Sequence, residues 1–186
     1  MTLRKDLMSD EQIMEAVKNG DLNQASLLFE RFNKRIYNFL ARMTNDRDVA
    51  EDLTQNVFLR LLKYRNSYIP EMKFQGWIYQ MARNAFSDHY QQQKQRMPAK
   101  MEVEKLNEQM PDILDALEQE ENEQRLIRAL AQLPDDYREL LVLTRFQHLK
   151  YEDVSGHLNI SVANVKVKVH RAIAQLRENY FQLENS

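Results

Sequence analysis

The sequence predicts an all-α protein built as two helical domains joined by an acidic linker, and three observations carry that expectation. Of 186 residues only three are Gly and four are Pro, while the good helix formers Leu, Glu, Gln, Lys and Arg abound. Apolar residues recur at steps of three and four, as along Leu22, Ala25, Phe29, Phe32, Ile36, Phe39 and Met43. The negative charge is concentrated in one place: residues 97–123 set two lysines against nine carboxylates, a local −7 in a chain of net charge −2, so the remainder carries +5. That stretch also holds Pro98 and Pro111 and no aromatic ring, the composition of an extended tether. The chain therefore divides into a helical domain at 1–96, a linker at 97–121 and a second helical domain at 122–186.

The elements follow in order. The apolar seam from Leu22 to Met43 suits a helical bundle, and Thr44-Asn45-Asp46 ends it. Asp48, with Glu51 three residues on, has the form of a capping box for the next helix. That helix, 49–64, is expected to bury Ala50, Leu53, Val57, Leu61 and Tyr64 and to show Glu51, Asp52, Gln55, Asn56 and Arg60. Residues 65–72, with Pro70, read as a loop. A further helix over 74–96 mixes Phe74, Trp77, Tyr79, Phe86 and Tyr90 with Arg83, Asn84, His89, Lys94 and Arg96. Rings interleaved with amides and cations can hold unstacked bases, although rings at helical spacing also serve a core.

The most informative stretch is YEDVSGHLNISVANVKVKVHRAIAQL, residues 151–176. It reads as a short amphipathic helix over 151–158, a turn at Asn159-Ile160-Ser161 with Ser161 as N-cap, and a second helix from Val162 to about Asn179. At 100° per residue, Val162, Val165, Val169, Ile173 and Leu176 share one face. The opposite face carries Asn164, Val167, His170, Arg171 and Ala174, with Lys166 and Lys168 on its shoulders. A helix-turn-helix whose second helix is basic on its outer face suits the major groove, where Lys and Arg meet phosphates and guanines. Val167 there matches a thymine methyl.

Other chemistries find little support. The chain has no Cys, which excludes disulfides, thiolate metal sites and Cys nucleophiles. The histidines His89, His148, His157 and His170 make no metal-ligand spacing, and there is no HExxH, GxSxG or Gly-rich phosphate loop. Neither enzyme activity nor a metal or cofactor is expected. No apolar signal core or membrane-spanning run occurs, so a cytoplasmic protein is expected.

Taken together, the halves resemble a known family. DRDVAEDLTQNVFLRLLKYRNSY (46–68) followed by FQGWIYQMARNAFSDHYQQQKQR (74–96) is similar to region 2 of a sigma-70-type RNA polymerase sigma factor. LAQLPDDYRELLVLTRFQHLKYEDVSGHLNISVANVKVKVHRAIAQLRE (130–178) resembles region 4. Two such regions and a short linker resemble the extracytoplasmic-function (ECF) group. The resemblance implies core RNA polymerase as partner, through its beta-prime clamp helices and beta subunit, promoter DNA as ligand, and an anti-sigma factor as a further candidate. It places Asp52, Leu53, Thr54, Gln55, Asn56 and Phe58 on the clamp-binding surface, with Asn56 where the family has an acidic residue. It places the 65–72 loop, Trp77, Arg83 and Asn84 at the minus-ten element, which is melted. Asn164, Lys166, Val167, Lys168, His170 and Arg171 fall at the minus-thirty-five element, where the family favours Arg more heavily. A helix-turn-helix regulator acting without being a polymerase subunit is the alternative; it would bind its DNA sites without polymerase.

Overall fold

The computed structural model describes residues 8–96 and 114–184, and among them every regular element is helical. Helix α1 (Asp10–Lys18) opens on a reciprocal cap: the Ser9 hydroxyl accepts from the Gln12 N–H while the Gln12 side-chain oxygen accepts from the Ser9 N–H. Two of the donors that every helix start leaves orphaned are thereby satisfied. The chain reverses after α1 at Gly20, whose φ of 106° is open to glycine at no steric cost. A 3-10 turn (Leu22–Gln24) leads into α2 (Ala25–Thr44), which stops where Asn45 turns left-handed. Helix α3 (Arg47–Lys63) begins on Asp46, whose carboxylate accepts from the Asp48 and Val49 N–H groups at 3.0 and 3.1 Å. Helix α4 (Phe74–Arg96) completes the bundle.

Three expectations shift at this level. The α3 cap is Asp46, not an Asp48–Glu51 box, because Asp48 already lies in the first helical turn. The α2 core face consists of Leu28, Phe32, Ile36, Phe39, Leu40 and Met43, while Leu22 and Phe29 are exposed. Leu22 precedes the helix and so is out of phase with it; α1, α3 and α4 all pack on α2 and draw in Leu28 and Leu40 instead of Phe29. Tyr64, expected inside, stands beyond the last turn of α3 and is exposed.

The 65–72 loop is more tightly held than its composition suggests. It starts with a 3-10 turn (Arg65–Ser67). Tyr68 is fully buried, its ring edge-on to Trp77 at 5.2 Å and its hydroxyl donating to the Met72 carbonyl at 2.8 Å. Helix α1 pins the loop at its middle and just past its end: Lys18 Nζ donates to the Tyr68 carbonyl at 2.7 Å, and Glu11 Oε1 accepts from the Phe74 N–H at 3.0 Å. The second bond caps α4.

The second half holds α5 (Leu114–Ala131), α6 (Asp135–Leu141), a π-turn (Val142–Phe146), α7 (Tyr151–Leu158) and α8 (Val162–Glu184). Helix α5 starts eight residues ahead of the boundary expected at 122; the tether reading of 97–113 lies outside the described residues. The helix-turn-helix forms as expected, with Asn159 left-handed between α7 and α8 and Ser161 Oγ accepting from the Asn164 N–H at 3.2 Å. Helix α8 runs five residues past the expected Asn179. It buries Val165, Val169 and Ala172, with Val162, Ile173 and Leu176 half-buried.

The halves are not splayed: one buried apolar cluster runs through both. Arg138 of α6 fastens them. Its guanidinium donates to the carbonyls of Leu130, Ala131 and Leu133 at the end of α5, at 3.1, 2.6 and 3.0 Å, and to that of Met43 at the end of α2, at 2.8 Å. Cations at helix C-termini satisfy the last carbonyls and the dipole together, and here one fork serves two helices from different halves. Arg138→Met keeps the bulk and removes the donors from these partly buried carbonyls. It is expected to cost roughly 3 kcal/mol, or about 6–12 °C in Tm for a chain of this size. Arg138→Lys should recover less than half of that, because a point ammonium cannot span the fork. Thermal melts followed by far-UV circular dichroism check both.

Candidate nucleic-acid and polymerase interfaces

The outward face of α8 is as the helical spacing requires. Asn164, Lys166, Val167, His170, Arg171 and Ala174 are all exposed, opposite the buried Val165–Val169–Ala172 stripe. Val167 leaves 48% of its surface in water, an apolar group amid amide, imidazole and guanidinium. Lys168 differs: half-buried on the shoulder, its Nζ donates to Asp136 of α6 at 3.1 Å. The structure thus sets five of the six expected groove-facing residues in the open and ties the sixth to a carboxylate.

Helix α3 carries the second surface. Asp52 and Gln55 are exposed, and Asn56 is half-covered, accepting from Arg60 Nε at 2.6 Å. Arg60 also pairs with Asp88 of α4 at 2.8 Å. Leu53 and Thr54 point into the bundle, so they hold the helix rather than present it. Phe58 is half-buried, edge-on to Phe29 at 4.9 Å. Leu59 is the residue the sequence reading passed over. It is 65% exposed and, at steps of three and four, falls in line with Asp52 and Gln55. The signal was available, since Leu59 lies off the apolar face of its own helix.

On α4, Trp77, Gln80 and Asn84 share a stripe at steps of three and four. Trp77 is half-buried against Tyr68 and Phe74, at 5.2 and 6.3 Å between ring centroids. Asn84 is exposed and its Oδ1 accepts from Gln80 Nε2 at 3.0 Å. Arg83 lies one step round, where Nε meets Glu139 of α6 at 3.2 Å. Trp77 and Asn84 therefore share a face, while Arg83 turns toward the second half. Gln80, the link within the stripe, was not singled out from sequence.

Arg83 belongs to a seam between the halves. Helix α7 lies across the first part of α4, and a Cβ built on Gly76 would overlap the imidazole of His157. Lys73 pairs with Asp153, the Tyr79 hydroxyl donates to Gln147 Oε1 at 2.9 Å, and the Arg42 guanidinium stacks 4.5 Å from the centre of the Phe146 ring. Tyr79, Gln80, Arg83, Glu139, Leu143, His157 and Leu158 line a narrow cleft there. Burial pushes the Glu139 carboxyl up to about 7, against the pull of Arg83 and with Asp136 and Asp135 adding to the rise. Burial holds the His157 imidazole below its usual value, with Asp153 opposing. Among the described residues no cluster of ligating side chains could hold a metal ion, and no helix is long and apolar enough to cross a membrane.

Comparison with known proteins matches this architecture half by half. Residues 28–96 match the family described as Sigma-70 region 2, and residues 123–176 match Sigma-70, region 4. The chain is 33% identical over 154 residues to the ECF RNA polymerase sigma factor SigM of Bacillus subtilis, covering 82% of this chain and 93% of that protein. It is 30% identical over 173 residues to the RNA polymerase sigma factor CarQ of Myxococcus xanthus, covering 92% and 97%. In fold it is similar to CnrH in its complex with the cytosolic domain of CnrY, at TM-score 0.70 and 18% identity over 91% of this chain and 95% of that one. It is likewise similar to the sigma factor RpoE of Bartonella quintana, in complex with the anti-sigma factor NepR, at TM-score 0.67 and 20% identity over 83% and 94%. The chain belongs to the ECF group of sigma-70 RNA polymerase sigma factors.

The seam makes stability depend on pH. Glu139 has a raised pKa when packed, so its contribution is fully present below about 4.5, its usual value, and is lost as pH rises through about 7. Arg83, Asp135, Asp136, His157 and Tyr79 surround it, and His157 works in the opposite sense, disfavouring the packed form in acid. Glu139→Gln removes the Glu139 part alone. Its Tm relative to the unsubstituted protein is therefore expected to climb as pH rises from about 4.5 to 7 and then level off. Scanning fluorimetry across that range checks the sign.

Proposed function

We propose that this chain acts as the promoter-specificity subunit of RNA polymerase, with α8 reading the minus-thirty-five duplex and the α4 stripe opening the minus-ten element. Sigma factors of this family direct core polymerase to promoters and bind promoter DNA. The observation that carries the residue assignment is the α8 face, where Asn164, Lys166, Val167, His170 and Arg171 stand exposed on the second helix of a capped helix-turn-helix. Amide, cation and apolar groups on one helix offer contacts to base edges and thymine methyls, while lysines at the edges meet phosphates. Polymerase docks on α3 through Asp52 and Gln55, joined by Leu59 and by Phe58 leaning on Phe29. An apolar residue aligned with polar ones is what a partner can desolvate at its centre and bond at its rim.

Opening the minus-ten element needs a place for a base that has left the stack. Unstacking costs a few kcal/mol, about what one or two aromatic contacts of roughly 1–3 kcal/mol return. Asn84 offers a donor and an acceptor to a base edge, and Trp77 and Gln80 lie along the same stripe. The protein itself carries out no covalent chemistry, works in the cytoplasm where polymerase is, and is open to control by an anti-sigma factor, as the Bartonella quintana sigma factor RpoE is seen in complex with the anti-sigma factor NepR. Run-off transcription by purified core polymerase, with and without this protein, tests the whole reading; a promoter bound without polymerase and no run-off product would sink it.

Three variants test the parts. Changing Asp52 and Gln55 together to Arg is expected to abolish co-purification with core polymerase while far-UV circular dichroism stays unchanged. Arg171→Ala should cost roughly 1–3 kcal/mol on the cognate promoter and relax preference at one base pair; competition among promoter variants reads this. Asn84→Ala should leave Tm and polymerase binding unchanged but slow promoter opening in permanganate footprinting. A template already mismatched at the minus-ten element should restore opening, since the unpairing cost is removed beforehand.

A further inference from the structure

Residues 69–73 form the exposed tip of the connection between α3 and α4. Ile69, Pro70, Glu71, Met72 and Lys73 all stand in water, Ile69 at 53% and Met72 at 47% exposure. Large apolar side chains at the start of α4 suit a base that has left its stack. A tip of this length, left unheld, would sample many shapes, and fixing it on binding costs entropy. This one is shaped from within and from without. Inside it, the Met72 N–H donates to the Ile69 carbonyl at 2.9 Å, and the Tyr68 hydroxyl donates to the Met72 carbonyl at 2.8 Å.

Outside it, α1 grips the two residues that flank the tip: Lys18 Nζ donates to the Tyr68 carbonyl and Glu11 Oε1 accepts from the Phe74 N–H. Glu11 and Lys18 are seven positions apart, about two helical turns, so they share a face of α1. The helix that bears them is itself fastened. Ile13, Met14 and Val17 are buried in the bundle, and Arg31 of α2 donates to the Met8 carbonyl and the Asp10 carboxylate at 3.0 and 2.8 Å. Burial would raise the Glu11 carboxyl, but its own N–H, that of Phe74, the Ser9 side chain and nearby Lys73 together hold it below its usual value. The acceptor is therefore charged at neutral pH. Helix α1 lies ahead of residue 28, where the match to Sigma-70 region 2 begins.

We propose that α1 is a clasp for promoter opening, in which Glu11 and Lys18 are positioning residues that hold 69–73 in the shape that receives an unstacked minus-ten base. The inference rests on reading the 65–72 loop and the α4 stripe as the minus-ten site. Neither residue touches DNA; both act through the backbone of Tyr68 and Phe74. Apparent affinity scales with the population of the competent shape. A clasp whose loss leaves that shape populated about a tenth of the time therefore costs about tenfold in affinity.

Lys18→Met keeps the stem and removes the donor. Glu11→Ala removes the acceptor, whereas Glu11→Gln retains an oxygen for the Phe74 N–H. Each full chain is assembled with core polymerase and titrated, well below its Tm, with a single-stranded oligonucleotide that the parent holoenzyme selects from a randomised pool, and with its scrambled counterpart. Lys18→Met and Glu11→Ala are expected to bind the selected oligonucleotide about tenfold more weakly, and scarcely better than the scrambled one. Glu11→Gln should stay close to the parent, and co-purification with core polymerase should be unchanged throughout. Hydrogen exchange in the free protein should quicken at 71–74 in the two loss variants and keep its rate along α8. Should Glu11→Ala lose its fold, Lys18→Met, which leaves the α4 cap intact, decides. A lowered Tm with undiminished affinity and discrimination would make the two grips merely structural and overturns the clasp. A parent that selects no oligonucleotide removes the minus-ten reading and the clasp with it, whereas a discriminating parent with equally discriminating variants removes the clasp alone.

Discussion

Arg138 is the contact on which the arrangement of this molecule depends. A helix end leaves carbonyls without partners, and burying such an end against another element is costly unless a donor arrives. The ends of α2 and α5 converge beside α6, and one guanidinium supplies donors to both. Its planar fork presents several N–H groups in fixed directions, which no other side chain offers. Burial lowers its proton affinity, with Asp135 opposing, yet an arginine remains charged at any physiological pH. The apolar cluster running from α2 into α6 and the π-turn closes around this rivet.

A second theme is how the chain distributes its cations. Arg83, Lys73 and Lys168 are engaged by Glu139, Asp153 and Asp136, whereas Lys166, His170 and Arg171 stand in water. The engaged ones line the seam or a shoulder; the exposed ones form the outer face of α8. The Lys168–Asp136 pair, open to water on both sides, contributes little to stability, on the order of 0–1 kcal/mol, so its interest lies in orientation. In the proposed reading Lys168 would exchange Asp136 for a phosphate, which would lessen its net contribution to binding compared with Lys166.

The candidate site was legible in unequal parts. The α8 face could be read from the spacing of Val165, Val169 and the basic residues, because one amphipathic helix declares its own inner and outer sides. Asp52 and Gln55 were legible for the same reason. Leu59 was missed because a search for polar binding groups passes over a leucine, and Phe29 was misplaced because alternating steps of three and four do not say which of two adjacent residues faces inward. Helix α1 announced itself through the Ser9–Gln12 cap spacing and the apolar Ile13, Met14 and Val17, a signal easily overlooked in so short a helix. Gly76 carried no signal, since its role exists only against His157, eighty-one positions away in the chain.

By itself the sequence determined the elements and their outer chemistry: helices throughout, the helix-turn-helix with its Asn159–Ser161 turn, the basic face of α8 and the polar face of α3. These follow from local propensity, capping and periodicity, which act within a few residues and survive any rearrangement of the whole. Only the tertiary structure decided that the halves pack, that Arg138 caps two helices at once, and that Arg83 faces Glu139 while Asn84 faces solvent. Those outcomes depend on which surfaces meet across long separations in the chain, where burial, sterics and charge are settled jointly rather than by any single stretch of residues.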